Sequence, residues 1–207
     1  MNEAQIILFL VTSVAVILVP GQDLVLVLSR GVGQGVSAGI STAAGVSLGL
    51  LGHTMLAAFG FGAILMASEL LFALVKYIGA AYLVYLGISL IRSNRSGLAL
   101  GSARAGSLKR AFLTGALSNI SNPKITIFYL AFLPQFIAAD TQHPALLLFV
   151  LGATFALLTF LIKVPVGYFA GRSAGWIQER PQMITWLDRI SGGVLIGLGI
   201  KLAFEEV

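Results

Sequence analysis

Two ionisable side chains stand beside two proline breaks in an almost wholly apolar chain: Asp23 in Pro20-Gly21-Gln22-Asp23, and Lys124 in Asn122-Pro123-Lys124. Each break falls within a stretch long enough to cross a bilayer. In hydrocarbon a free backbone N–H or C=O costs several kcal/mol, so a broken helix persists only where protein or a water-filled cavity satisfies the released groups. A charge at a helix centre adds about 2.5–3.5 kcal/mol on insertion scales. Proline-interrupted spans at matching places in two halves of a chain are a sequence pointer to a transporter's binding site. The plainer roles are an N-cap for Asp23 and a snorkelling anchor for Lys124.

Other groups could join them. Gln22, Asn119 and Asn122 bring amides to the breaks, either to line a pathway or to satisfy backbone freed by Pro20 and Pro123. Lys163 lies in Leu161-Ile162-Lys163-Val164-Pro165. Pro165 releases a carbonyl about four residues upstream that could seat the ammonium, and snorkelling is open to it as well. His53 falls near the middle of an apolar stretch, suited equally to an interhelical hydrogen bond and to proton transfer. Lys76, Lys201, Glu69, Tyr77, Tyr82, Trp176 and Trp186 read as interface anchors. The sharpest expectation is that Asp23 and Lys124 pair with each other across the two breaks, since pairing explains how two intramembrane charges are tolerated.

The elements that must position these groups are membrane helices. Of 207 residues 57% are hydrophobic and 10% charged, far from the composition of a soluble domain. Apolar stretches cover roughly 5–27, 39–66, 70–91, 110–136, 145–170 and 184–204, each near the ~20 residues a span needs. The expected fold is an all-α integral membrane protein of six transmembrane helices, the first and fourth broken. The N-terminus lacks the basic region of a signal peptide, so the first span is expected to be retained. A Ser-, Gly-, Ala- and Arg-rich linker over 92–109 separates residues 1–91 from 110–207. Residues 77–90 align without gaps to 189–202, with Ile78, Leu83, Leu86, Gly87, Ile88 and Leu90 identical across the pair. Three spans per half reverse the second half in the membrane, giving two inverted three-helix repeats.

Charge placement sets orientation. Nine of 13 basic residues (Arg30, Arg92, Arg95, Arg104, Lys109, Arg110, Arg172, Arg180, Arg189) fall in the connections after the first, third and fifth spans. Glu3, Glu69, Asp140, Glu205 and Glu206 fall on the other side. The positive-inside rule then puts the linker in the cytoplasm and both termini outside. The net charge of +5 is thus an orientation signal, and no basic face interleaved with aromatics points to nucleic acid. The chain has no cysteine, hence no disulfide, thiolate metal site or cysteine nucleophile. No Gly-Lys-Ser/Thr phosphate loop is present, which argues against an ATP-driven pump. Glycines spaced by four (Gly31, Gly35, Gly39; Gly45, Gly49; Gly167, Gly171, Gly175; Gly193, Gly197) are the small-residue pattern of close helix packing.

Taken together these motifs make the chain resemble the lysine exporter / homoserine-threonine resistance (LysE/RhtB-type) family of bacterial amino-acid exporters. Pro20-Gly21-x-Asp23 is similar to that family's first-helix Pro-Gly-Pro-Asp/Asn signature, with Gln22 standing where a second proline is usual. Gly45-x-x-x-Gly49-x-x-x-His53 resembles its second helix and Gly79-Ala80-Ala81-Tyr82-Leu83-x-x-Leu86-Gly87 its third. Asn122-Pro123-Lys124 with Phe128, then Pro134-Gln135-Phe136, resembles the fourth. The resemblance implies a secondary transporter of the bacterial cytoplasmic (inner) membrane that exports small amino acids or their derivatives, homoserine-, threonine- or lysine-like, by proton antiport with alternating access. It implies no cofactor and no metal, and leaves monomer and homo-oligomer open. A zwitterionic substrate suits the residues: Asp23 for its ammonium, and Lys124 or a half-helix N-terminus for its carboxylate.

An intramembrane enzyme acting on lipid-linked substrates is the alternative, but it needs a nucleophile, metal site or acid/base pair, and the chain has two histidines and no His-Glu-x-x-His. A channel is the third class; midplane breaks in an inverted repeat favour a carrier. The orientation is testable with cysteines introduced at Ser96 and Thr141, which should label from opposite sides of the membrane. Labelling of Ser96 from outside intact cells overturns the assignment.

Overall fold

A chain this apolar can satisfy its backbone in lipid only by closing hydrogen bonds within each segment. The computed structural model describes residues 1, 3–61, 69–92, 106–137, 141–178 and 182–204. Among these residues the regular elements are all helical: α1 (Glu3–Leu18), α2 (Gln22–Gln34), α3 (Val36–Leu56), α4 (Glu69–Arg92), α5 (Leu108–Ile120), α6 (Pro123–Phe132), α7 (Pro144–Arg172), the short α8 (Ala174–Gln178) and α9 (Gln182–Phe204). A π-turn (Ala57–Phe61) extends α3 and a 3₁₀ turn (Leu133–Phe136) extends α6. Among the described residues α3 with its π-turn and α7 are each long and apolar enough to cross a bilayer, and α1 with α2 makes a third such stretch, bent by 53°.

Both expected breaks are present, and their chemistry differs. At the first, Pro20 separates α1 from α2, whose N-cap is Gly21 in extended backbone without a side-chain cap. At the second, Asn122 caps α6, its Oδ1 accepting from the Lys124 N–H at 3.1 Å, and Pro123 occupies N1, where its missing N–H costs nothing. The first connection is shorter than expected. Helix continues to Gln34, so Arg30 lies on α2, and Gly35 alone (φ +90°) turns the chain into α3. Only glycine adopts that φ without strain. Pro165 sits inside α7 without ending it. Residues 93–105, most of the expected linker, lie outside the described residues, as do Arg95, Arg104, Asp140, Arg180, Glu205 and Glu206.

Small residues set the helix contacts. A Cβ on Gly39 would lie 2.6 Å from the Gly167 carbonyl oxygen, and one on Gly167 would lie 2.6 Å from the Gly39 carbonyl carbon. Gly45 faces the Phe112 carbonyl and Gly115 the Thr42 carbonyl, locking α3 to α5. Such contacts leave no room for a side chain, which is how helices associate closely in lipid. The expectation fails at Gly175, Gly193 and Gly197, where an added Cβ meets nothing within 4 Å. On the antiparallel pair α4 and α9 the close approaches come from Gly87, Gly192 and Gly199 instead. Gly87 packs on the Gly192 carbonyl and on Ile196; Gly199 packs on the Ala80 carbonyl and on Val84. The 112-residue shift that aligns 77–90 with 189–202 converts the first contact set into the second.

The buried core joins α1, α6 and α7 through aromatics: Phe9 to Phe136 at 5.4 Å, Phe128 to Phe132 at 4.8 Å and Phe128 to Phe155 at 4.9 Å between ring centres. Lys76, expected as an interface anchor, is buried, with its ammonium 5.4 Å from the centre of the Tyr77 ring. Trp186 is exposed, as an anchor should be. Gly39→Leu should destabilise the purified protein by about 1–3 kcal/mol or prevent its folding, whereas Gly193→Ala should shift stability by less than about 0.5 kcal/mol. Thermal unfolding in detergent distinguishes the two, and equal midpoints would contradict the packing described.

Candidate functional site

The breaks place three charged side chains around one small space. Asp23, in the first turn of α2, is buried where the helix dipole favours a carboxylate. Its Oδ2 accepts from Asn119 Nδ2 at 2.7 Å and faces Lys163 Nζ at 3.7 Å; both members of the ion pair are about 5% exposed or less. Its Oδ1 has no hydrogen-bond partner. Lys163 reaches this point from the middle of α7.

Lys124, in the first turn of α6, extends across to the other break. Its ammonium donates to the Val19 carbonyl at 3.4 Å, the carbonyl that an unbroken helix would offer to the N–H of Asp23. That oxygen lies just past the C-terminus of α1, where a cation is favoured. Gly21 leaves the space the ammonium uses, since a Cβ there would lie 3.2 Å from Nζ. The two breaks therefore abut. Between them lies a cavity of about 10 Å³ bounded by Val16, Gly21, Asp23, Lys124, Thr159 and Lys163, enough for one water.

The expected pairing of Asp23 with Lys124 is not what the structure contains: the ion pair is Asp23–Lys163. Lys124 is drawn to the opened carbonyl end of α1, and α7 supplies the counter-charge from a different segment. Lys163 therefore neither snorkels nor relies on a carbonyl freed by Pro165; it lies buried against Asp23. The amides divide by role. Asn122 satisfies backbone at the second break, while Gln22 and Asn119 join α2 to α5, Gln22 Nε2 donating to Ser118 Oγ at 2.9 Å.

His53 is buried on α3 with Nε2 3.0 Å from the Asn119 main-chain oxygen. A carbonyl only accepts, so Nε2 carries the proton. The imidazole lies 5.7 Å from the Tyr129 ring, whose hydroxyl is 3.2 Å from both Thr54 Oγ1 and the Gly152 carbonyl. Asn119 is thus the hub, its side chain on Asp23 and its main chain on His53. Ser118 and Thr159 escaped sequence reasoning because hydroxyls are common in these helices and most, including those of Thr42, Ser47, Thr54 and Thr159, bond to the carbonyl four residues back. Among the described residues no group of three or more His, Cys, Asp or Glu is placed to hold a metal ion.

A helical membrane protein with a charged centre at two abutting helix breaks is the class that fold and site define. Residues 14–206 match the family model described as LysE type translocator, and the chain belongs to that family. It is 32% identical over 195 residues to an uncharacterized membrane protein of Pseudomonas aeruginosa, covering 92% of this chain and 90% of the relative. The leucine efflux protein of Klebsiella pneumoniae is 31% identical over 203 residues, covering 94% and 92%. The homoserine/homoserine lactone efflux protein of Salmonella typhimurium is 30% identical over 195 residues, covering 94% of each chain. No solved structure gives a significant match.

Removing one member of a buried pair strands the other, at a cost of about 3–5 kcal/mol, whereas removing both can be nearly neutral. Lys163→Met and Asp23→Asn should each destabilise the purified protein, and the double variant should be more stable than the sum of their effects implies. Thermal unfolding of all four proteins gives the coupling. Strict additivity would show that Asp23 and Lys163 are not paired.

Proposed function

We propose that the protein exports small neutral amino acids across the bacterial inner membrane, in exchange for protons and by alternating access. The observation that carries this reading is the charge count at the breaks: two ammonium groups and one carboxylate surround one cavity. Asp23 pairs with Lys163 and leaves Lys124 without a carboxylate, so a substrate carboxylate has a cation to meet while its own ammonium keeps the net charge of the set unchanged. Lys124 would exchange the Val19 carbonyl for the substrate carboxylate, a charge-assisted bond in place of a neutral one. The unpartnered Asp23 Oδ1 would accept from the substrate ammonium. The remaining walls include Ile17, Leu50, Ile125 and Phe155 and bring no second acid. A lysine substrate would add another cation to a site already in cationic excess, so the lysine-like option falls behind leucine-, homoserine- and threonine-like ones. The names of the leucine and homoserine efflux relatives agree with this.

A cavity the size of one water cannot hold an amino acid, so binding requires the helices around the breaks to part. Two inverted repeats of three helices would supply that movement by rocking against each other; the abutting breaks and the matched glycine contacts of α4 and α9 support such a pseudo-two-fold. Both termini would lie outside and the 92–109 linker in the cytoplasm. On the outward side a proton taken up by Asp23 would neutralise the carboxylate, weaken its hold on the substrate ammonium and complete the exchange. The charged and titratable groups facing that step are Lys163 on α7, Lys124 on α6 and, behind Asn119, His53 on α3.

Counterflow of labelled amino acids in proteoliposomes tests the reading and separates a carrier from a channel. Leucine, homoserine and threonine should exchange at least about tenfold better than lysine, equivalent to roughly 1.4 kcal/mol. Asp23→Asn should lose proton-driven export while retaining some counterflow, and Lys124→Gln should lose both. Preferred exchange of lysine, or wild-type pH dependence in Asp23→Asn, would contradict the mechanism.

A further inference from the structure

A groove of about 640 Å³ runs between α2 and α5, with Gln22, Ser29, Thr114, Ser118 and Ser121 among its lining residues. This volume is in the range of small-molecule sites, roughly 300–1,000 Å³. Ser29 and Thr114 mark one end and Gln22, Ser118 and Ser121 the other, at the breaks. Both helices extend from the breaks toward the end at which α5 follows the 92–109 linker, so the groove runs along α2 and α5 from the breaks toward that end. Val25, Leu26 and Leu117 complete a lining that is mostly apolar, so the polar groups have to be weighed one by one. The Ser29 and Thr114 hydroxyls donate to the Val25 and Arg110 carbonyls and could tolerate hydrocarbon. Gln22 is different: exposed at the break, its carboxamide has more donors and acceptors than the single bond to Ser118 uses. An amide left in hydrocarbon costs several kcal/mol, so water must reach it.

Gln22 and Asp23 are consecutive, and so are Ser118 and Asn119. The bonds Gln22–Ser118 at 2.9 Å and Asp23–Asn119 at 2.7 Å are therefore adjacent rungs between the first turn of α2 and the last turns of α5. Gln22 and Ser118 of the outer rung line the groove, and Asp23 of the inner rung lines the cavity. Resting on the export reading above, we infer that the groove is the linker-side vestibule through which the amino acid arrives, and that these two rungs are the gate between vestibule and cavity. The inner rung is opened by the cargo itself, because a substrate ammonium competes with Asn119 Nδ2 for Asp23. The outer rung sets how readily α2 and α5 separate, which gives Gln22 a positioning role distinct from substrate binding.

The absence of native cysteine makes the gate testable in the full chain. Gln22→Cys with Ser118→Cys, bridged by a short bis-thiosulfonate, should lose at least about tenfold in leucine counterflow and recover on reduction. Full counterflow with the bridge shown to be in place overturns the gate. Independently, Ser29→Cys and Thr114→Cys should react with a charged, membrane-impermeant thiosulfonate from the linker side, more slowly with leucine present. Reaction with a neutral permeant reagent alone places the groove in lipid and overturns the vestibule, whether or not the bridged protein folds. Failure of the unmodified protein to exchange any neutral amino acid counts against the export reading, whereas normal exchange by the bridged protein counts against the gate alone.

Discussion

A carboxylate held in the membrane interior must find a cation and hydrogen-bond donors, because the alternative is an ionised group without solvation in low dielectric. Asp23 meets this demand from three elements at once. The start of α2 supplies the positive end of a helix dipole, α5 supplies the Asn119 amide and α7 supplies the Lys163 ammonium. Much of the surrounding architecture follows. Pro20 and Gly21 end α1 so that α2 can begin at Asp23; Gly49 lets α3 approach Asn119, where a Cβ would lie 2.9 Å from its side-chain oxygen. The second break places Lys124 against the carbonyl that the first break opens, so each discontinuity satisfies part of the other.

How far the sequence reveals this depends on whether a feature is local. Helix extents are local consequences of apolar run length, and the expected spans agree with the described helices to within a few residues except at α2, where Arg30 is expected in a connection and Gly35 alone makes the turn; the end of the 39–66 span lies outside the described residues. Asp23, Lys124, Lys163, Asn119 and His53 were all visible because a polar group in an apolar run is conspicuous. Partner choice was not, since it depends on which helices pack. Nothing along the chain says that α7 rather than α6 faces Asp23, or that Asn119 presents its side chain to one group and its carbonyl to another. Glycine spacing misled in the same way: Gly193 and Gly197 have the right interval but face open space, and the contact is made by Gly192 and Gly199. Spacing fixes which residues share a face, and packing decides whether that face is used.

The site is closed as well as charged. Two hydrogen bonds side by side separate a groove large enough for an amino acid from a cavity sized for one water, and each bond ends on a residue of the breaks or their immediate neighbours. Local breaks in helices cost stability, and under the proposed mechanism ligand, proton and gate would all act at these two breaks. Gln22 and Asp23 are consecutive, so the outer bond and the charged pair share the first turn of α2.

The claim on which this account turns is that a substrate's two charges are divided between Asp23 and Lys124. Equilibrium binding to the purified protein of leucine, of leucinamide, which lacks the carboxylate, and of 4-methylpentanoate, which lacks the amine, tests it directly. The expected result is that leucine binds best, that Lys124→Gln erases the preference for leucine over leucinamide, and that Asp23→Asn erases the preference over the deaminated acid. Equal binding of leucine and leucinamide to the wild-type protein would contradict it.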